Sequence, residues 1–220
     1  MRAHELITDE IPPLKHTDTG EKALQWMDEF KVSHLPVLKN GNFVGLISES
    51  DILDKLDLEE ALDKLFDHLP RIYALSSAHI YDVLYQISEN KVSVLPILDE
   101  KETYQGCTTV YHLLTVIANT GSIKESGGII VLEMNSVDYS MAQIAQIVES
   151  NNGKILSSYI MSSPDSTKLE VTLKINDSEF SRIIRTFEHY NYTIKASFQT
   201  SDHDNDIRER YESLMNFLKF

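Results

Sequence analysis

The sequence predicts a mixed α/β (α+β) protein in which one module occurs twice and a separate antiparallel domain follows. The run 31–38, Lys-Val-Ser-His-Leu-Pro-Val-Leu, returns 60 residues later as 91–98, with six of its eight residues identical. Apolar residues at helical spacing precede both runs, and strand-forming segments follow them. From Gly127 onwards the sequence no longer matches the repeat, and several segments alternate apolar and polar residues.

The first copy has the pattern of a helix, a strand, a hairpin turn, a strand and a second helix. Asp18 and Glu21 have the spacing of an N-cap and its partner at the third helical position. The segment 35–38 predicts a short strand, 40–42 a tight turn, and 43–47 the returning strand. The first helix carries an apolar stripe formed by Ala23, Leu24 and Met27.

The second copy repeats this order, with a strand at 95–98, a turn at 99–103 and a helix that includes 111–114. Both first strands carry a proline, Pro36 or Pro96. Because proline cannot donate a hydrogen bond within a sheet, we expect these strands at an edge or an irregularity.

The C-terminal part predicts a βαββαβ domain, in which an antiparallel sheet carries two helices on one side. Gly127-Gly128 has the composition of a flexible joint before it. Asn152-Gly153 predicts a left-handed helix end. An acidic joint, 201–206, precedes a predicted terminal helix with an apolar stripe, which consists of Ile207, Tyr211, Leu214 and Leu218.

The composition of the chain narrows the range of functions and cellular locations to be expected. Twenty Lys and Arg against thirty-four Asp and Glu give a formal charge of −14, which disfavours binding to nucleic acid or to an anionic membrane. The start of the chain has no apolar signal sequence, and the single cysteine, Cys107, cannot form an internal disulfide. We therefore expect a cytoplasmic protein.

The Leu-Pro-Val run, followed by Gly-apolar-Ile-Ser-x-x-Asp at 45–51, resembles the CBS domain, which works in tandem pairs known as Bateman modules. On this resemblance the two copies are 1–60 and 61–122. The βαββαβ segment 127–200 resembles an ACT domain of the ferredoxin-like type, and 207–220 is the terminal helix. The order is similar to that of the AcuB-type acetoin-utilisation proteins of bacteria.

The resemblance implies an allosteric regulator that binds AMP, ADP, ATP or S-adenosylmethionine between the copies, with no catalytic cofactor. Ser48 and Asp51 would face the ribose and phosphates. Thr109 keeps the hydroxyl in the second copy, but His112 replaces the aspartate, so we expect one competent site. From the residues alone, Ser48 can equally be an N-cap and Asp51 a first-turn acid that the helix dipole favours.

The resemblance also implies a base pocket, which would be lined by Ile11, Pro12, His34 and Pro36. The nearest basic side chains for a phosphate are Lys31, Lys91 and Arg71. The alternative for each lysine is a solvated helix end.

The ACT resemblance departs from its family at Tyr139, which stands where amino-acid sites usually need a glycine. We therefore expect this domain to pair with a second chain, which gives a homodimer, rather than to bind an amino acid.

We expect no enzymatic activity and no metal, because no catalytic constellation is present and the eight histidines lack metal-binding spacings. The segment 202–206 resembles a calcium loop, but Ile207 occupies the position that requires glycine. A protein target is expected but not identified by the sequence. The alternative function is an oligomerisation scaffold with empty CBS sites.

Overall fold

The computed structural model describes residues 1–119, 123–162, 167–176 and 180–199. The chain divides into two compact units between Ile117 and Ala118. The predicted acidic joint and terminal helix, 201–220, lie outside the described residues.

The first half of unit 1 contains β1 (Leu14–Lys15), α1 (Gly20–Phe30), β2 (His34–Lys39), β3 (Asn42–Ser48) and α2 (Glu49–Lys55). β2 is the middle strand of the sheet, parallel to β1 and antiparallel to β3. Asn40 and Gly41 both have positive φ, as the predicted tight turn between β2 and β3 requires.

The second half repeats this arrangement with β4 (Ala74–Leu75), α3 (Ile80–Asn90), β5 (Val94–Leu98), β6 (Tyr104–Thr109) and α4 (Val110–Asn119). Its strand order, β4-β5-β6, and its pairing directions are those of the first half. The predicted internal repeat is therefore confirmed in three dimensions.

The helix caps agree with the prediction at α2 and differ at α1. Ser48 caps α2, which begins at Glu49. Thr19, not Asp18, caps α1, so that prediction was wrong. The Asp18 carboxylate instead accepts from the Lys15 amide and pairs with Lys22, because the chain turns tightly between β1 and α1.

The proline prediction holds in part. β2 is a central strand and not an edge, but β1 reaches only Val37 and Leu38, so it does not extend to Pro36. The register with β3 also shifts between Val37 and Leu38. Pro96 has the same surroundings in β5. Because β1 and β4 are only two residues long, a proline is tolerated in the middle strand.

The segment that precedes each half packs on the other half. Residues 3–8 pack on the second half, where the Ala3 amide donates to Ala78 O at 2.8 Å and the Thr8 amide to Cys107 O at 2.9 Å. Residues 62–70 pack on the first half, where the Leu62 amide donates to Asp18 O at 3.0 Å. The cores are shared accordingly: Ala3 and Leu6 join the second core, and Leu62, Leu65 and Leu69 join the first.

Gly45 and Gly106 occupy matching positions in β3 and β6, opposite Val37 and Ile97. A Cβ on Gly45 would lie 2.6 Å from Leu69 Cβ, and one on Gly106 would lie 2.5 Å from Ile7 Cγ2. Each glycine therefore provides the space in which an exchanged segment crosses a strand.

Unit 2 contains β7 (Gly128–Asn135), α5 (Met141–Ser150), β8 (Ile155–Ser162), β9 (Lys168–Ile175), α6 (Phe180–His189) and β10 (Thr193–Gln199). The four strands are antiparallel in the order β10-β7-β9-β8. Both helices pack on one face of the sheet, over Ile130, Leu132 and Val171. This is the predicted ferredoxin-like βαββαβ arrangement.

The Gly127-Gly128 and Asn152-Gly153 segments of unit 2 have structural roles. Gly128 begins β7 beneath the Phe180 ring, and a Cβ there would lie 2.0 Å from it. The predicted flexible joint is therefore a site of close packing. Asn152, with φ 60°, provides the left-handed end of α5, as predicted. Among the described residues, no helix combines the length and apolar character that crossing a bilayer requires.

We expect Gly45→Ala to lower the free energy of unfolding of the full chain by about 1–3 kcal/mol, because the added methyl group meets Leu69 and the carbonyl groups of Leu69 and Pro70. Urea denaturation measures this change. Gly41→Asn is the control, since no atom lies within 4 Å of a Cβ at Gly41 and asparagine tolerates positive φ. Equal stability of Gly45→Ala and the wild type would refute the packing role.

Candidate functional site

A cavity of about 500 Å³ lies between the two halves of unit 1. Its walls come from the segment before β1, the end of α1, the start of β5 and the first turns of α4. The lining residues are Glu10, Ile11, Phe30, Lys31, Val32, Ser93, Thr109, Val110, Tyr111 and Leu114.

The end of α1 forms one wall because the helix stops abruptly. Lys31 takes a left-handed conformation, with φ 55°, and its amide donates to Asp28 O. The Val32 amide donates to Met27 O at 3.0 Å, which closes the turn. The chain then enters β2 with Val32 facing the cavity.

The start of α4 forms the opposite wall. The Val110 amide donates to Ser93 O at 3.2 Å, which fixes the helix to the entrance of β5. The Thr109 hydroxyl accepts from the His112 amide at 3.0 Å and acts as the N-terminal cap. Tyr111 and Leu114 remain largely exposed on the rim.

Charge in the cavity is sparse. Lys31 Nζ lies 2.8 Å from Asp28 Oδ1, and both side chains are more than three-quarters exposed. The Glu10 carboxylate has no ion pair or hydrogen bond with the part of the chain that the structure describes. The remaining lining is apolar or carries hydroxyl groups, as is typical of small-molecule sites.

A polar cluster joins the two halves behind the cavity. The Ser33 amide donates to Ser93 Oγ at 3.0 Å, and His34 Nδ1 lies 3.2 Å from Ser93 Oγ and 3.3 Å from the Ser93 amide. Burial lowers the pKa of His34, although the charge of Asp51 opposes this. A neutral His34 can accept from the Ser93 amide, so it supports Ser93 without lining the cavity.

Ser48 and Asp51 form a capping box at the start of α2. Asp51 Oδ2 accepts from the Ser48 hydroxyl at 2.5 Å and from its amide at 3.2 Å, and Oδ1 lies 2.6 Å from Lys55 Nζ. Burial raises the pKa of Asp51, but hydrogen bonds from Lys55 and Ser48 outweigh it, and the pKa lies below its usual value. Both carboxylate oxygens are therefore engaged, and neither residue lines the cavity.

The remaining predicted site residues are dispersed. Pro12 is exposed, Pro36 is buried within β2, and His112 lies in α4 outside the lining. The Arg71 guanidinium donates to Phe43 O and pairs with Glu102. Lys91 ends α3 in a left-handed conformation.

Of the predicted residues, the structure brings Ile11, Lys31 and Thr109 together. None of the other seven lining residues was predicted from the sequence. The sequence did mark Ser93, because it lies in the repeated Lys-Val-Ser run and corresponds to Ser33 of the first copy. Glu10 and Tyr111 lie beside recognised positions but outside any motif.

The structure also bears on the side chains that could serve as a nucleophile or as metal ligands. Cys107 is fully buried, and burial raises the pKa of its thiol to about 11, so the nucleophilic thiolate is suppressed. Within residues 1–119, 123–162, 167–176 and 180–199, no three His, Cys, Asp or Glu side chains are grouped as a metal site would need.

The fold and the cavity define a protein built on a pair of CBS-type modules. Residues 3–58 match the CBS domain family. The second half repeats the fold of the matched half, so unit 1 resembles a tandem CBS pair, and a ferredoxin-like unit follows it.

Three solved structures are similar to this chain. A CBS domain pair/ACT domain protein from Thermotoga maritima is 23% identical, with a TM-score of 0.48 over 54% of this chain and 98% of that one. CBSX2 in complex with AMP is 21% identical, with a TM-score of 0.47 over 56% and 98%. A putative acetoin utilization protein from Vibrio cholerae is 20% identical, with a TM-score of 0.45 over 54% and 91%.

A curated relative, an uncharacterized protein of Methanocaldococcus jannaschii, is 24% identical over 106 residues. The match covers 48% of this chain, which spans 40% of the relative's length.

We expect Asp51→Asn to lower the free energy of unfolding by about 1 kcal/mol near neutral pH, because the charged half of the capping box is lost. Since the pKa of Asp51 is lowered on folding, its stabilising effect is complete above the unfolded value of about 3.9 and disappears as the pH falls through the folded value. The difference in the free energy of unfolding between Asp51→Asn and the wild type should therefore disappear only in acid.

Urea denaturation of both proteins at about pH 7 and about pH 3 measures this difference. Asp54→Asn, an exposed acid of the same helix, is the control. A difference that persists unchanged in acid would contradict the assignment.

Proposed function

We propose that this protein is a non-catalytic regulator that binds an adenosine-type ligand in the cavity between its CBS copies. The proposal includes a C-terminal unit that pairs two chains and communicates occupancy to a protein target. The observation that carries the proposal is the cavity itself, about 500 Å³ in volume, with apolar walls from both copies and hydroxyl groups of Ser93, Thr109 and Tyr111 from the second.

The lining suits a nucleoside. Ile11, Val32 and Leu114 offer apolar surface to a flat base. The hydroxyls of Ser93 and Thr109 can donate to or accept from ribose, and the Glu10 carboxylate can accept from its diol. His112 stands at the position of the second-copy aspartate, and Glu10 supplies a carboxylate to the same cavity. We place the proposed ligand here, whereas Ser48 and Asp51 are engaged with each other and with Lys55.

Regulation without chemistry fits the groups present. Among the described lining residues, the acid is Glu10, the base is Lys31, and Tyr111 adds a phenol. The hydroxyl with a neighbouring base is that of Ser93, 3.2 Å from His34 Nδ1, but this nitrogen already accepts from the Ser93 amide. A ligand can shift the protein between two arrangements only if it binds one of them more tightly. The hydrogen bonds of Ser33 and His34 to Ser93 connect the cavity wall to the other copy and could differ between such arrangements.

Pairing through unit 2 is supported by the face of its sheet that the helices leave uncovered. Val131 and Tyr159 both lie opposite Thr172 on neighbouring strands, so all three share this face. Phe198 lies opposite Ile129 on the same face. Tyr159 is 58% exposed and Phe198 is 60% exposed, which is the apolar exposure that a subunit interface would bury.

The ligand is tested by isothermal titration with AMP, ADP, ATP and S-adenosylmethionine. We expect saturable binding near one ligand per chain, and Thr109→Val should weaken it roughly three- to tenfold through loss of one hydrogen bond. Ser48→Ala is the matched control, because it also removes a helix cap but does not line the cavity. Absence of binding to all four compounds would favour the oligomerisation scaffold.

The pairing is tested by sedimentation velocity. We expect a dimer for the wild type and a monomer for Tyr159→Glu, because a charge would be buried at the interface. Tyr190→Glu, at an exposed tyrosine beside Gln143 on the helical side, should remain a dimer. A monomeric wild type, or a dimeric Tyr159→Glu variant, would count against pairing through this face.

A further inference from the structure

We infer that the cavity selects adenosine ligands whose 5′ substituent is uncharged or cationic, and that Glu10 is the residue that disfavours phosphates. The inference rests on the proposed function and narrows its ligand class. It places adenosine and S-adenosylmethionine above AMP, and AMP above ATP.

The charges of the lining carry the first part of the argument. The Glu10 carboxylate has no ion pair or hydrogen bond with the described residues, while Lys31, the cation of the lining, pairs with Asp28 at 2.8 Å. A phosphate would therefore meet one negative side chain and a lysine that is already paired. Because salt screens exposed charges beyond about 10 Å, the charges near the cavity decide this preference rather than the net charge of the chain.

The helix N-terminus beside the cavity offers few free donors. The start of a helix can bind phosphate through its unpaired amides. In α4, however, the Val110 amide already donates to Ser93 O, and the His112 amide already donates to the Thr109 hydroxyl. Of the first three amides of α4, only that of Tyr111 has no such acceptor among the described residues, and a phosphate that used the other two would have to displace internal hydrogen bonds.

The other cations that could have bound a phosphate are committed elsewhere. The Arg71 guanidinium pairs with Glu102, donates to Phe43 O and stacks near the rings of Phe43 and Tyr73. Lys91 is not part of the lining. No second basic side chain therefore compensates Glu10 within the lining.

The aromatic residues at the cavity are compatible with a cation. Phe30 and Tyr111 both line it, and the faces of aromatic rings attract positive charge. A sulfonium or ammonium group on the ligand would be attracted by these rings and by Glu10. The same lining accepts the neutral adenosine moiety in either case.

The test is a titration series with adenosine, AMP, ATP, S-adenosylmethionine and S-adenosylhomocysteine. The last two differ in the sulfonium charge and its methyl group, so their ratio reports how the site responds to a cation. We expect S-adenosylmethionine to bind more tightly than S-adenosylhomocysteine and ATP to bind most weakly. The weakness of ATP should diminish at high salt, because screening reduces the repulsion.

Glu10→Gln isolates the carboxylate. It should improve the affinity for ATP relative to adenosine about fivefold, as expected for removal of one like charge at contact distance near a protein surface. Asp9→Asn is the matched control: it removes the same bulk charge from the neighbouring exposed position, which does not line the cavity.

The outcomes separate the two proposals. If none of the five compounds binds, the proposed function itself fails. If they bind but ATP or AMP binds more tightly than adenosine, only the charge selection fails. An equal response of ATP affinity to Glu10→Gln and Asp9→Asn would refute the specific role of Glu10.

Discussion

The structure of unit 1 depends on the close approach of two chain segments to two strands at Gly45 and Gly106. Residues 62–70 cross the first sheet and residues 3–8 cross the second, and each crossing requires a position without a side chain. The crossings merge the cores, because Val94 and Cys107 of the second half pack with the first core and Leu46 of the first half packs with the second. The two copies are thereby held face to face, and the cavity forms where their helix ends meet.

Repetition also explains why the two halves can differ chemically. Ser48 and Thr109 cap equivalent helices, and the backbone amides that follow them donate to Ser33 O and Ser93 O. In both copies a hydroxyl at this position therefore caps a helix whose first amide is fixed to the strand entrance. The residue three positions after the cap is Asp51 in the first copy and His112 in the second. The fold is compatible with either residue, so the two halves can differ in charge at this position. Neither of these residues lines the cavity, whose carboxylate belongs to Glu10.

Much of this architecture was predictable from the sequence, because strands and helices leave periodic patterns. The alternation of Leu169, Val171, Leu173 and Ile175 indicated β9, and the repeated Leu-Pro-apolar-Leu runs indicated β2 and β5. The cap of α1 was predicted at Asp18 and lies at Thr19, since both residue types cap helices and only the turn before the helix decides between them. The exchange of residues 3–8 was not predictable, because a single turn of 3₁₀ helix has no periodicity long enough to show its partner.

The cavity was predictable only at positions that a motif marks. Ile11, Lys31 and Thr109 were identified, and all three line it. Pro36 and Asp51 were identified on the same basis but serve the sheet and a helix cap. Whether a side chain faces a cavity depends on how the two copies dock, and that docking is set by contacts between residues some 60 positions apart, such as Ser33 with Ser93.

The exchanged N-terminal segment has a consequence for synthesis on the ribosome. Ala3 is synthesised 75 residues before its partner Ala78, and Thr8 is synthesised 99 residues before its partner Cys107. Until then the first copy lacks nothing of its own core except Val94 and Cys107, while its N-terminal apolar side chains stay in water. Residues 3–8 can therefore pack only once the second copy is complete. A chain interrupted between the copies would leave this apolar segment exposed to chaperones or proteases.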